Sequence, residues 1–293
     1  MDRLTSMSVF AKVVEANSFS AAARTLGVSQ ATASKHVQTL EAWLGARLLN
    51  RTTRKVGMTA IGESFHAQCI RILDDIDDAR NASKNETNLR GPLRIAAPVC
   101  FGSTKLGPIL RGFARMHAAV TLEVFLSDRM VDPLEDGFDV AIQLGTGQGP
   151  GLVVRRLAAL PHVLCAAPAY LAGRREPAVP DDLAEHVCLL DRQLFPDGWR
   201  FIGVSGGSAP RLSYQVTANN ALVLREAAAD GAGVLLAPEF CVQGDLAEGR
   251  LVRLLPEWSA LPIELSAAVP AARQLSAKIR GMVAYLAEHA VTA

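Results

Sequence analysis

A chain of 293 residues with 49% apolar and 20% charged side chains is too long for one ordinary domain and too apolar to be disordered. The formal net charge of +1 is unevenly spread: residues 1–60 hold eight Lys/Arg against three acids, whereas 61–90 and 91–293 each stand at −2. A basic head on a near-neutral body points to a polyanionic partner for the head alone.

In chain order, Leu4, Met7, Phe10 and Val14 recur at helical spacing and give a first helix with one apolar face. In NSFSAAARTLG, Ser18 or Ser20 can cap a second helix and Gly27 can end it in the left-handed conformation. SQATASKHVQTLE follows, with Ser29 placed as an N-cap. Ala33, Val37, Leu40 and Leu44 make one buried stripe, which leaves Ala31, Ser34, Lys35 and Gln38 on a separate outward face. LLNRTTRKVGMT then reads as a small hairpin: Leu48–Leu49 and Val56–Met58 flank a basic turn with Arg51, Arg54 and Lys55, and Thr59 can cap the next helix.

That helix, roughly 60–87, carries Phe65, Cys69, Ile72, Ile76, Ala79 and Ser83 at heptad spacing. The seam fits self-association through Phe65, Cys69, Ile72 and Ile76. A surface helix lying on its own domain is the other reading, since Ile70 and Leu73 broaden the stripe. Asp74, Asp75, Asp77 and Asp78 read as a solvated face, and residues 85–88 as a linker.

From Gly91 the pattern becomes strand, helix, strand: LRIAAP, STKLGPILRGFARMH, VTLEVFL, then DVAIQLG. It restarts with HVLCAAP, VCLL, RLSYQV, a helix ALVLREAAADG and VLLAP. A final helix, SAKIRGMVAYLAEH, sets Leu275, Ile279, Met282 and Leu286 on one side. The alternation implies two similar lobes with mainly parallel sheets.

The head has the layout of a helix-turn-helix. Small residues let the third helix sit deep in a major groove, where Gln30, Thr32, Ser34, Lys35 and Gln38 can reach base edges or phosphates. The free N–H groups near Ser29 suit a phosphate, and the wing cations can follow the backbone or enter the minor groove. The alternative is a solvated helix of an ordinary bundle. Five cations against Glu41 alone within 29–55 favour duplex DNA.

SFSAAARTLGVSQATASKHVQTLEAWLGARLLNRTTRKVGMTAIGE closely resembles the winged helix-turn-helix of LysR-type transcriptional regulators. APVCFGSTKLGPIL, the pair Ser127-Asp128, EDGFDVAIQLG and CAAPAYLA resemble that family's effector-binding half. The resemblance implies an α/β chain in three parts. An N-terminal all-α winged helix-turn-helix spans 1–60, and a long linker (dimerisation) helix and hinge spans 61–90. A two-lobed α/β effector domain of periplasmic-binding-protein type spans 91–293, with lobe I about 91–160 plus 266–293 and lobe II about 161–265. It further implies that Gln30, Ala31, Thr32, Ser34, Lys35 and Gln38 approach the DNA groove and that Arg51 or Arg54 meets the backbone. Subunits are expected to pair as dimers or tetramers, with RNA polymerase as a further partner if the protein activates. Four positions depart from the family's usual residues: Ala31 for a proline, Leu49 for an aromatic, Asn50 for an acid and Gln143 for an arginine. The last unsettles any inherited ligand preference.

A small effector is expected between the lobes at the strand C-termini. The candidates there are Pro98, Cys100, Phe101, Gly102, Ser103, Thr104, Asp128, Gln143, Asn219, Asn220 and Pro238. Ser103 and Thr104 open the predicted helix, where they suit a carboxylate or merely cap it; an organic acid is the effector they suggest. Trp199 and Phe195 would favour an aromatic portion if they reach the cleft.

The five cysteines are dispersed without metal-ligand spacing and read as buried thiols, with redox sensing at Cys100 or Cys165 as the alternative. MDRLTSMSVF lacks a signal peptide's apolar core, and no run approaches the ~18 apolar residues of a membrane span. The expected protein is cytoplasmic and away from the membrane. None of the six histidines sits in a metal or nucleophile motif, VSGGS is no nucleophile elbow, and GTGQGPG lacks a phosphate loop's lysine. No catalytic residue, metal or cofactor is expected. A transport-type binding protein and a hydrolase or transferase carrying an accessory head are the competing readings.

Overall fold

The computed structural model describes residues 2–51, 56–82, 89–145, 149–203 and 206–290, with backbone alone at 51 and 77–82. It divides into two compact units, Met1–Glu86 and Thr87–Ala293.

The first unit is α1 (Arg3–Glu15), α2 (Phe19–Leu26), α3 (Gln30–Leu44), a hairpin of β1 (Leu49–Arg51) and β2 (Val56–Met58), and α4 (Ala60–Ala82). Local chemistry sets its boundaries. Ser18 Oγ accepts the Ala21 N–H at 3.3 Å and Ser29 Oγ accepts that of Thr32 at 3.0 Å, each closing a helix start. Gly27 (φ 66°) and Gly45 (φ 67°) end α2 and α3 in the left-handed region. Phe10, Val13, Ala33, Val37, Leu40, Leu48 and Cys69 form the core. Leu4, expected in the apolar face of α1, is 42% exposed.

The second unit holds two five-stranded sheets. In the first, β3 (Gly91–Ala97), β4 (Val120–Leu126), β5 (Val140–Leu144), β6 (Leu152–Leu160) and β15 (Ile263–Pro270) lie in the order β4-β3-β5-β15-β6. In the second, β7 (His162–Ala166), β8 (Val187–Asp191), β11 (Ser213–Ala218), β12 (Val234–Pro238) and β13 (Val252–Arg253) lie in the order β11-β8-β12-β7-β13. A small third sheet joins β9 (Phe201–Gly203), β10 (Gly206–Ser208) and β14 (Ser259–Ala260). The main helices are α5 (Val99–Phe101), continuing through a π-turn at Gly102–Leu106 into α6 (Gly107–Met116), then α7 (Pro168–Leu171), α8 (Ala221–Ala229), α9 (Glu239–Ala247) and α10 (Ala277–His289).

Neither sheet is mainly parallel, contrary to the sequence expectation. β3 pairs parallel with β4 and β5, but β15 runs antiparallel to both β5 and β6. β8 pairs parallel with β11 and β12, but β7 runs antiparallel to β12 and β13. The chain crosses between sheets twice, and each return strand enters reversed. β15 lies wholly in the first sheet from Ile263, ahead of the return expected near 266. Two separate apolar cores result, one per sheet. Ile279, Met282 and Leu286 of α10 are buried as expected, whereas Leu275 precedes the helix and is 68% exposed.

Candidate nucleic-acid interface and inter-lobe cavity

α3 buries Ala33, Val37 and Leu40 and turns its other side outward. Gln30, Ala31, Lys35 and Gln38 are exposed, and Thr32 and Ser34 are half-buried. His36 Nδ1 meets Ser6 Oγ at 3.0 Å, which fixes α3 on α1. Gln30 Oε1 accepts the Ser20 hydroxyl at 3.0 Å, so its amide is already aimed from the helix start. The Ser29 hydroxyl is used in the cap and in a 2.8 Å contact with the Thr32 hydroxyl. Lys35 makes no ion pair with a described residue. Glu41, the single acid of this region, is turned inward: its Oε1 accepts the N–H groups of Leu48 (2.9 Å) and Leu49 (3.2 Å), tying the hairpin to α3. Arg54 and Lys55 lie outside the described residues, as does the side chain of Arg51.

The heptad seam on α4 divides. Cys69 is fully buried in the head's own core, and Phe65 packs on that core against Phe10, with ring centroids 6.0 Å apart. Cys69 follows the surface-helix reading, and Phe65 is half-buried on the same core. Ile72 and Ile76 are 37% and 39% exposed. Heptad spacing alone could not separate the two halves, because a helix docked on its own domain shows the same period.

A cavity of about 300 Å³ opens between the two lobes of the second unit. Pro98, Cys100, Asp128, Gln143 and Asn219 line it, as do Arg129 and, among residues the sequence reading did not single out, Asp191 and Gln193. Asp128 organises its rim. Its Oδ1 accepts the Val99 N–H at 3.0 Å, which starts the helical segment at Val99 rather than at Ser103. Its Oδ2 accepts a short hydrogen bond from Asn220 Nδ2 across the lobes. Asn220 Oδ1 in turn caps α8 through Leu222 N–H (2.9 Å) and Val223 N–H (3.2 Å).

Seven candidates fall elsewhere. Phe101 is fully buried in the first core, and Gly102 packs against Leu126. Ser103 and Thr104 sit in the π-turn and are exposed; Thr104 Oγ1 donates back to Cys100 O at 2.7 Å. They do not cap the helix because Asp128 already does. Pro238 is buried at the end of β12. Trp199 is 1% exposed in the second core, edge-on to Phe201, since only a core seat covers so large an apolar ring. Phe195 stacks near His162 instead, beside a separate groove.

Asp191 ends β8, 3% exposed, its Oδ1 accepting the N–H groups of Gln193 (2.9 Å) and Leu194 (3.1 Å). Burial raises its pKa, and the neighbouring charge of Asp128 adds to the rise. The sequence signal was an acid directly after an apolar strand whose C-terminal end meets the cleft. All five cysteines are buried. Desolvation pushes Cys165 and Cys188 up to about 12 and Cys69 to about 11. Cys241 is raised further by its hydrogen bond with Cys100 and by burial. Burial disfavours the thiolate at these positions, which counts against redox sensing at Cys165. No described helix is long and apolar enough to cross a membrane.

Residues 4–63 match the family model "Bacterial regulatory helix-turn-helix protein, lysR family", and residues 86–291 match "LysR substrate binding domain". An HTH-type transcriptional regulator of Haemophilus influenzae is 33% identical over 284 residues, covering 96% of this chain and 99% of that protein. The structure of CrgA, a LysR-type transcriptional regulator from Neisseria meningitidis, matches with 28% identity and a TM-score of 0.60 over 97% of each chain. The Vibrio cholerae virulence activator AphB shares the fold, with a TM-score of 0.59 at 24% identity over 99% of this chain and 100% of its own.

Proposed function

This chain belongs to the LysR family of transcriptional regulators, with its DNA-binding head and effector-binding half, and from that premise we propose how its own residues divide the work. The outward face of α3, with Gln30, Ala31, Thr32, Ser34, Lys35 and Gln38, enters the major groove, where Lys35 meets a phosphate at its edge, and Arg51, Arg54 and Lys55 follow the phosphate backbone. The exposed polar face of α3, fixed by its buried stripe, carries this reading. Self-association through the exposed Ile72 and Ile76 would present two such helices to a two-fold site. The effector enters the cavity behind Asp128 and Asn220. It changes DNA affinity only by favouring one arrangement of the lobes over another. RNA polymerase is a partner if the protein activates. A regulator of this kind works in the cytoplasm and needs no catalytic group. An organic acid loses its support, because Ser103 and Thr104 do not line the cavity.

A mobility-shift assay with the gene's own upstream DNA tests the reading; no shift at low salt would return the chain to the transport-type alternative. Lys35→Ala should weaken cognate and random DNA alike and reduce the slope of log affinity against log salt by about 1. An unchanged slope would remove Lys35 from the phosphate contacts. Ile72→Asp with Ile76→Asp should give smaller assemblies in sedimentation, because two carboxylates cannot be buried unpaired in an apolar seam. An unaltered mass places the interface elsewhere.

A further inference from the structure

The cavity has the wrong charge for an acid. Among the described residues, three charged side chains line it: Asp128, Asp191 and Arg129. Arg129 Nη2 bonds Asp136 at 2.5 Å, so the one cation is already balanced by a carboxylate. Two negative charges remain. An anionic ligand would enter against both.

Its hydrogen-bonding atoms lean the same way. Gln143 Nε2 donates to Val131 O at 3.1 Å, which fixes the amide and leaves its buried Oε1 without a donor among the described residues. Asp191 is 3% exposed, and only its Oδ1 is engaged, by two backbone N–H groups. Oδ2 accepts no bond from a described residue. Gln143 Oε1 is thus a buried acceptor left unmet, which is costly, and Asp191 Oδ2 is a second acceptor that no described residue engages. Ile142, Leu144 and Leu194 make an aliphatic stretch of the wall, Ser127, Gln193 and Asn219 a neutral polar one, and no aromatic ring is among the described lining residues. About 300 Å³ sets a small ligand.

We infer that the inter-lobe cavity takes a small aliphatic ligand bearing a protonated amine or guanidinium, held by Asp191 and Gln143. The inference rests on the effector reading above and names that effector's chemistry. A cationic head supplies donors to Asp191 Oδ2 and Gln143 Oε1 and offsets the charge that Asp191 shares with Asp128. It also lies within reach of the Asp128–Asn220 bond, the link by which one lobe holds the other.

The test is thermal denaturation of the full-length protein with putrescine, agmatine and succinate as probes, at matched ionic strength. Putrescine or agmatine should raise the unfolding temperature with the logarithm of concentration, and succinate should not. Asp191→Asn keeps an oxygen for the Gln193 and Leu194 N–H groups, so it should fold, and it should weaken amine binding at least about tenfold. Stabilisation by succinate alone, an amine effect unchanged in Asp191→Asn, or no effect of either amine would each overturn the inference. DNA affinity measured on the same samples separates it from the broader reading. Succinate that altered DNA affinity would keep the effector role and remove the cationic preference. An amine that bound through Asp191 without altering DNA affinity would support the charge preference and count against a regulatory role for the cavity.

Discussion

Replacing Arg273 by alanine should cost the C-terminal unit about 3–5 kcal/mol, read from its urea midpoint. Asp139 is the reason. It is 4% exposed, immediately before β5 in the EDGFD stretch, and nearly all its water is gone. One oxygen accepts the Arg94 N–H of β3 at 2.8 Å, and the other holds the Arg273 guanidinium beyond the end of β15. One carboxylate thus ties the start of β5 to the middle of β3 and to the segment beyond the end of β15. The Arg273 side chain is itself only 20% exposed. Remove it, and a buried charge remains with one neutral donor. An exposed ion pair would cost about 0–1 kcal/mol, so the size of the loss reports the dielectric around Asp139. Asp139→Asn in the Arg273→Ala background should recover most of it, because the amide has no charge and its oxygen can still accept from Arg94. A single-mutant loss below about 1 kcal/mol would mean that water reaches Asp139.

The parts of this fold that could be read from the sequence are those fixed by neighbours in the chain. Ser18, Ser29, Gly27 and Gly45 act within three or four residues of themselves, so α2 and α3 end where their caps say. The hairpin announced itself by two apolar pieces around a polar turn, and Glu41 looked like a stray acid only because its partners, Leu48 and Leu49, lie beyond the helix end. Long-range pairing left no such trace. β15 and β6 are antiparallel partners more than a hundred residues apart, and nothing local to either strand declares its direction. The same holds at the cavity. Pro98, Asp128, Gln143 and Asn219 sit at strand ends, where the cleft of a two-lobed fold must be. Ser103 and Thr104 misled because Asp128, a distant residue, had already taken over the cap. Trp199 misled because a large ring near a cleft in sequence reads the same as one in the core beneath it.

The clearest test of the joint between hairpin and α4 is Gly62→Ala, which should destabilise the N-terminal unit by about 3 kcal/mol or more. A methyl at Gly62 would lie 2.0 Å from Leu48 O and 2.9 Å from Leu48 C. That carbonyl cannot readily retreat. It accepts the Thr59 N–H at 3.0 Å, and the Thr59 hydroxyl, 2.7 Å from Arg47 O, also caps α4 through Gly62 N–H at 2.9 Å. Helix propensity argues the other way, since alanine is favoured over glycine inside a helix by about 1 kcal/mol. The clash should win, because the obstacle is backbone fixed by its own hydrogen bonds rather than the end of a flexible side chain. The consequence should stay local: the head's thermal transition falls and DNA binding is lost with it, while the transition of residues 87–293 stays in place, since the two units fold around separate cores. A Gly62→Ala head as stable as the parent would show that the Leu48 carbonyl can yield, and Thr59 would then be a dispensable cap rather than the pin of this joint.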